Sequence, residues 1–217
     1  MTNAEPAADR PLLRGTFHLG AAFAAAAGAV LLLLLADSAS AYVGGAVFAA
    51  SLIALYATSA AYHRIRWRPR LRGLIRRLDH AMIFTLIAGT YTPFCLAVLD
   101  TAWGISILSV VWGLAGAGVA MKLVWPNAPR WLSVLLYLAV GWLALVATTE
   151  LLAWFTLAPL ALLLLGGLMY TLGGIVYAAG RPNPFPRVFG YHEVFHALVI
   201  AGSVLHFALV ALYVVPA

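Results

Sequence analysis

Charge is what this chain has least of. Lys, Arg, Asp and Glu together make up 9% of its 217 residues, against 64% hydrophobic residues, and the mean hydropathy is +0.97. A soluble domain of this length has too little polar surface to cover so much apolar side chain, which excludes a water-exposed globular fold. Cysteine is scarcer still. The single Cys95 falls inside a hydrophobic run, which excludes a disulfide framework. Acidic residues number 7 against 13 basic ones, for a net charge of +6. No strong internal repeat is present.

What is present is a series of long apolar runs. A hydrocarbon core of about 30 Å needs about 20 residues of helix, and seven stretches qualify, near 17–36, 43–63, 79–99, 103–121, 131–149, 151–178 and 191–213. The expected fold is an all-α integral membrane protein, a seven-transmembrane helix bundle forming one domain over 17–213 after a short N-terminal segment, 1–16. Short connections carry the breakers, including Trp125-Pro126-Asn127-Ala128-Pro129 and Gly180-Arg181-Pro182-Asn183-Pro184. The sixth stretch also holds Pro159 and two glycine pairs, Gly166-Gly167 and Gly173-Gly174. These lie seven residues apart, on one helix face suited to close packing. The first run is longer than the apolar core of a cleavable signal, so it reads as an uncleaved span.

The sparse charges are sorted by side. Arg10 and Arg14 precede the first run, and Arg64, Arg66, Arg68, Arg70, Arg72, Arg76 and Arg77 follow the second. Lys122 and Arg130 bracket the fourth connection, and Arg181 and Arg187 the sixth. All fall on one side, while Asp37, Asp100 and Glu150 fall on the other. The positive-inside rule then puts the N-terminus in the cytoplasm and the C-terminus outside. The basic balance needs no nucleic-acid partner. The Arg64–Arg77 connection is expected to meet anionic lipid headgroups.

Polar residues at the edge of hydrocarbon are costly and mark function. His63 closes the second run, one turn after Ser59. Asp79 opens the third, and His192 and His196 open the seventh. Residues four apart share a helix face with β-carbons about 5–6 Å apart. A His-x-x-x-His pair can therefore grip one ion, and Zn2+ takes imidazole at roughly 2.0–2.1 Å, with His63 available as a third ligand. A fourth position would stay open to water, whose pKa a zinc ion lowers to about 7. Asp79 is placed to orient or deprotonate that water with Ser59 assisting. The competing reading pairs Asp79 with a neighbouring arginine, and gives the histidines interfacial hydrogen bonds.

The string His192-Glu193-Val194-Phe195-His196 also spells the metalloprotease pattern H-E-x-x-H. The extended pattern needs histidine at 202, where this chain has Gly202, and His206 lies about 15 Å beyond His196 along a helix. Glu193 is accordingly expected to face the membrane interface. His18 is expected to be interfacial, His80 to make a helix–helix hydrogen bond, and His206 to be a core histidine. Pro93 should bend the third helix, with Thr90 and Thr92 satisfying freed backbone groups. Trp103, Trp125, Trp131 and Trp154 read as interface anchors.

Three segments together resemble the bacterial hemolysin III family: Ser59-Ala60-Ala61-Tyr62-His63, Arg77-Leu78-Asp79-His80 running into Gly89-Thr90-Tyr91-Thr92-Pro93, and Arg181-Pro182-Asn183-Pro184 with His192-Glu193-Val194-Phe195-His196. This family sits in the wider group of progestin and adiponectin-type receptors, with alkaline ceramidases more distant. The resemblance spans about 15 to 213. It implies seven helices, a bacterial cell-membrane location, and zinc on His63, His192 and His196, with Asp79 and Ser59 around the zinc-bound water. No receptor-type partner is expected at the short N-terminal segment, unlike the long N-terminal region of the animal receptors. The function this implies is a zinc-dependent hydrolase of a lipid amide or ester contributing to membrane homeostasis. A non-enzymatic, zinc-stabilised regulator of membrane fluidity is the alternative, and a cytolytic pore-former a lesser one.

Overall fold

The computed structural model describes residues 11–216. They form helices α1 (Thr16–Leu35), α2 (Ala39–Arg64), α3 (Pro69–Ala97), α4 (Thr101–Val124), α5 (Arg130–Gly141), α6 (Thr148–Trp154), α7 (Leu157–Ala179) and α8 (Tyr191–Tyr213), with a 3-10 turn over Trp142–Ala147. Among the described residues, seven helical segments are long and apolar enough to cross a membrane, Arg130–Trp154 counting as one. α1 to α4 pack each against the next, and α7 against α8. α8 closes the bundle against α1 and α7, and α5 packs on α7 and α3.

α3 begins ten residues before the apolar run that predicts it. Pro69 sits in the first turn, where its missing N–H costs nothing, and apart from Gly73 the segment behind it is mostly Arg and Leu, good helix formers. The arginine-rich connection is therefore mostly helix: only residues 65–68 are non-helical, and Arg70, Arg72, Arg76 and Arg77 ride on α3. Lys122, expected in a connection, lies in the last turn of α4. It is buried, donating to Ser133 and sitting 5.8 Å over the Tyr137 ring.

The fifth span is not the continuous helix that its hydropathy predicts. α5 ends at Gly141, a 3-10 turn follows, and α6 runs past Glu150 to Trp154, so the break before α7 falls at residues 155–156. Unpaired backbone inside hydrocarbon is costly, and Tyr91 of α3 relieves it. Its hydroxyl lies 2.7 Å from Gly141 O and 3.1 Å from Val140 O, and accepts from Ala144 N–H at 2.7 Å.

Close approach explains several glycines. A β-carbon on Gly44 would lie 2.7 Å from Pro93 Cα, so α2 meets α3 backbone to backbone. The glycine pairs of α7 divide their contacts: Gly173 faces Phe195 and Leu198 of α8, while Gly174 faces Val134 and Leu138 of α5. Thr90 and Thr92 donate to Leu86 O and Ala88 O at 2.8 and 2.9 Å. Both acceptors precede the Gly89 carbonyl that Pro93 frees, so the hydroxyls bond other carbonyls of α3 and not the freed one. Trp103, Trp125, Trp131 and Trp154 are all exposed near helix ends.

Candidate metal centre and its cavity

The N-terminus of α8 presents the site. Gly190 N–H donates to Glu193 Oε2 at 2.8 Å, and Tyr191 N–H donates to Asn183 Oδ1 at 2.9 Å. These bonds occupy backbone donors that a helix start leaves unpaired. They fix where α8 begins, and so where His192 and His196 point one turn apart. His63 comes from the last turn of α2, behind which Trp67 folds back to donate to Ala61 O at 2.9 Å.

The three histidines converge. Each offers one ring nitrogen within 4.8 Å of the others, and His192 Nε2 lies 3.1 Å from His63 Nε2. Ring centroids are 4.8 Å apart for His63 and His192, 5.3 Å for His63 and His196, and 4.5 Å for His192 and His196. His196 is buried, and its Nδ1 has no hydrogen-bond partner. Three imidazoles, an orphaned buried nitrogen and facing Nε2 atoms fit a divalent ion of the zinc class. No other metal-capable group of three turns up among the described residues.

Ser59 is buried on α2 one turn before His63, and it lines the same cavity as Asp79 of α3. Asp79 Oδ2 also lies 3.7 Å from His80 Nδ1. His80 Nδ1–H donates to Arg76 O at 2.8 Å, which leaves Nε2 to accept from the Tyr177 hydroxyl of α7 at 3.2 Å. The competing reading of Asp79 as an arginine's partner therefore fails: among the described residues no arginine lies within ion-pair distance of it.

Ser59, Asp79, His192 and His196 share a cavity of about 400 Å³. Its walls are mostly aliphatic and aromatic, from Ile83, Leu86, Val134, Leu138, Leu163 and Phe195 among others, and it reaches His206 well along α8. His206 Nε2–H donates to Leu163 O at 3.1 Å. One polar end and a long apolar interior suit an amphiphile with a reactive polar group beside the histidines.

Two expectations are corrected. Glu193 does not face the interface. It is fully buried, and Oε1 accepts from Arg14 Nε while Oε2 caps α8. Both oxygens being committed, Glu193 is not free to serve as the general base of the H-E-x-x-H pattern. His18 is not interfacial either. It is buried and stacked on His196, with centroids 3.6 Å apart and planes 10° apart, and it lines the cavity. A hydrophobic run hides such a residue. The one signal is that Arg14 and His18 stand four apart, the spacing of His192 and His196.

The haemolysin-III related family pattern matches residues 7–207. A hemolysin-3 homolog of Bacillus subtilis (strain 168) is 36% identical over 169 residues, covering 78% of this chain and 76% of that protein. Hemolysin-3 of Bacillus cereus is 36% identical over 179 residues, covering 82% and 78%. Heptahelical transmembrane protein 5 of Arabidopsis thaliana is 28% identical over 188 residues, covering 77% of this chain and 47% of that protein. With seven membrane-length helices and this match, the chain is a multipass membrane protein belonging to the haemolysin-III related family.

Proposed function

We propose that the chain is a metal-dependent hydrolase that cleaves an amide or ester of a membrane lipid from within the bilayer. One observation carries this reading: His192, His196, Ser59 and Asp79 line the polar end of a cavity whose remaining wall is mostly aliphatic and aromatic. Catalytic zinc sites keep three protein ligands, which here would be His63, His192 and His196. When bound, the ion would supply Lewis-acid polarisation of the substrate carbonyl.

The chain's own groups have the rest of the work. The Asp79 carboxylate, which shares the polar end of the cavity with Ser59, takes a proton from the attacking water. As the carbonyl carbon gains its new bond to oxygen, the bond to the leaving nitrogen or oxygen breaks. Asp79 returns the proton to that leaving group, giving a carboxylic acid and an amine or alcohol. The aliphatic wall excludes bulk water and holds the lipid chain. The charge sorting by side supports a cytoplasmic placement of the histidine end in a bacterial cell membrane, with the arginines of α2 and α3 against anionic headgroups.

The test is turnover of a panel of lipid amides and esters by purified protein and by Asp79→Asn. Release of free fatty acid by the former alone supports the reading, and no release by either overturns it. Because His63 and His192 join α2 to α8, the second reading is a metal-tied, non-enzymatic regulator of membrane fluidity. It is favoured if metal binds without turnover and the variant without metal alters bilayer order. Metal-independent conductance in liposomes would favour a pore-former over both.

A further inference from the structure

The segment leading into the first span, together with the first turn of α1, touches the histidine cluster from several directions at once. Leu12 and Leu13 N–H donate to Arg187 O and Val188 O at 3.1 and 3.3 Å, tying the segment to the connection that leads into α8. Arg14 then reaches buried Glu193, the residue beside His192. Gly15 follows with a positive φ of 78°, and a β-carbon there would lie 2.6 Å from His63 Cβ. Arg64, next to His63, donates to Thr16 Oγ1 at 2.8 Å, and His18 stacks on His196. The brace thus reaches all three ligands or their immediate neighbours.

We infer that Arg14, Gly15 and Glu193 are positioning residues for the metal cluster, the 11–18 segment acting as a brace that sets His63 against His192 and His196. This rests on reading those histidines as metal ligands. The physical reason is the cost of loose ligands: groups outside a metal's coordination shell that fix ligand orientation raise its affinity. Glu193 is suited to this, since one oxygen fixes the start of α8 and the other anchors the brace. Gly15 is suited because any side chain would both strain a left-handed backbone and push His63 away.

The experiment measures zinc affinity of the full chain in detergent by chelator competition, for the wild type, Arg14→Met, Arg14→Lys, Glu193→Gln and Gly15→Ala. Arg181→Met serves as a control on the exposed connection. Arg14→Met, Glu193→Gln and Gly15→Ala are expected to weaken zinc binding about 10- to 100-fold. Arg14→Lys should recover part of the loss, and the zinc-induced rise in Tm should shrink along with affinity. A merely structural role would lower the Tm of the metal-free protein and leave affinity and that rise unchanged, which would overturn the inference.

Should the variants fail to fold, amide hydrogen exchange of the wild type decides. Zinc is expected to slow exchange over residues 11–18, and no change there overturns the brace. A wild type that binds no zinc overturns the ligand reading and the brace with it. Zinc binding that Arg14→Met and Gly15→Ala leave intact overturns the brace alone.

Discussion

His63 and His192 stand 129 positions apart in the chain, yet their Nε2 atoms face each other at 3.1 Å. Ligands on one tetrahedral zinc at 2.0–2.1 Å would lie roughly 3.3 Å apart, so the pair needs little movement to share an ion. His63→Ala should therefore weaken zinc binding without disturbing α8, whose start is capped by Glu193. Isothermal titration checks the first part and circular dichroism the second. Unchanged affinity would remove His63 from the ligand set.

Asp79→Asn is expected to keep the metal and lose hydrolysis. General-base catalysis contributes about 10²- to 10⁴-fold, and the amide keeps the shape of the carboxylate while losing its basicity. Ser59→Ala should cost less, because it removes an assisting hydroxyl from the cavity and leaves the base in place. Fatty-acid release at matched zinc content checks both, and equal rates for wild type and Asp79→Asn would exclude Asp79 as the base.

Tyr91→Phe should destabilise the bundle by about 1–3 kcal/mol by leaving buried backbone groups unsatisfied. The phenol is the partner of Ala144 N–H and of the carbonyls ending α5. Thermal unfolding in detergent measures the cost. An unchanged Tm would mean that the break in the fifth span has other partners.

Gly44→Ala should cost about 1–3 kcal/mol through overpacking, because the obstacle to its methyl is the Pro93 backbone and no flexible side chain can move aside. Gly113→Ala, with nothing within 4 Å of its new methyl, is the neutral control. Equal melting temperatures would contradict the close contact of α2 with α3.

Lys122→Met should leave Tm unchanged or raise it. Lys122 is buried with a neutral hydroxyl as hydrogen-bond partner, and Ser133 keeps its own bond to Pro129 O at 3.2 Å. Removing a buried charge without an opposite partner relieves desolvation. A clear loss of stability would give Lys122 an anionic partner within the membrane.

Hydropathy made the seven spans and the convergence of His63, His192 and His196 legible, because spacing and side of the membrane place residues by depth. It could not show rotation about a helix axis. For that reason Glu193, polar and one position from His192, read as facing the membrane interface, although it is buried against Arg14. His18 was hidden in the same way, since its stacking on His196 depends on α1 packing against α8. The break at Trp142–Ala147 carries no proline. The backbone groups it frees are met from another helix, by the Tyr91 hydroxyl, to which a local reading of residues 131–149 has no access.

The most direct measurement is the metal content of the purified chain, wild type against the triple variant His63→Ala, His192→Ala, His196→Ala. One zinc ion per chain in the wild type and none in the variant is the expected result. A wild type purified without metal that takes up none from zinc-containing buffer, or a triple variant that retains zinc, would contradict it.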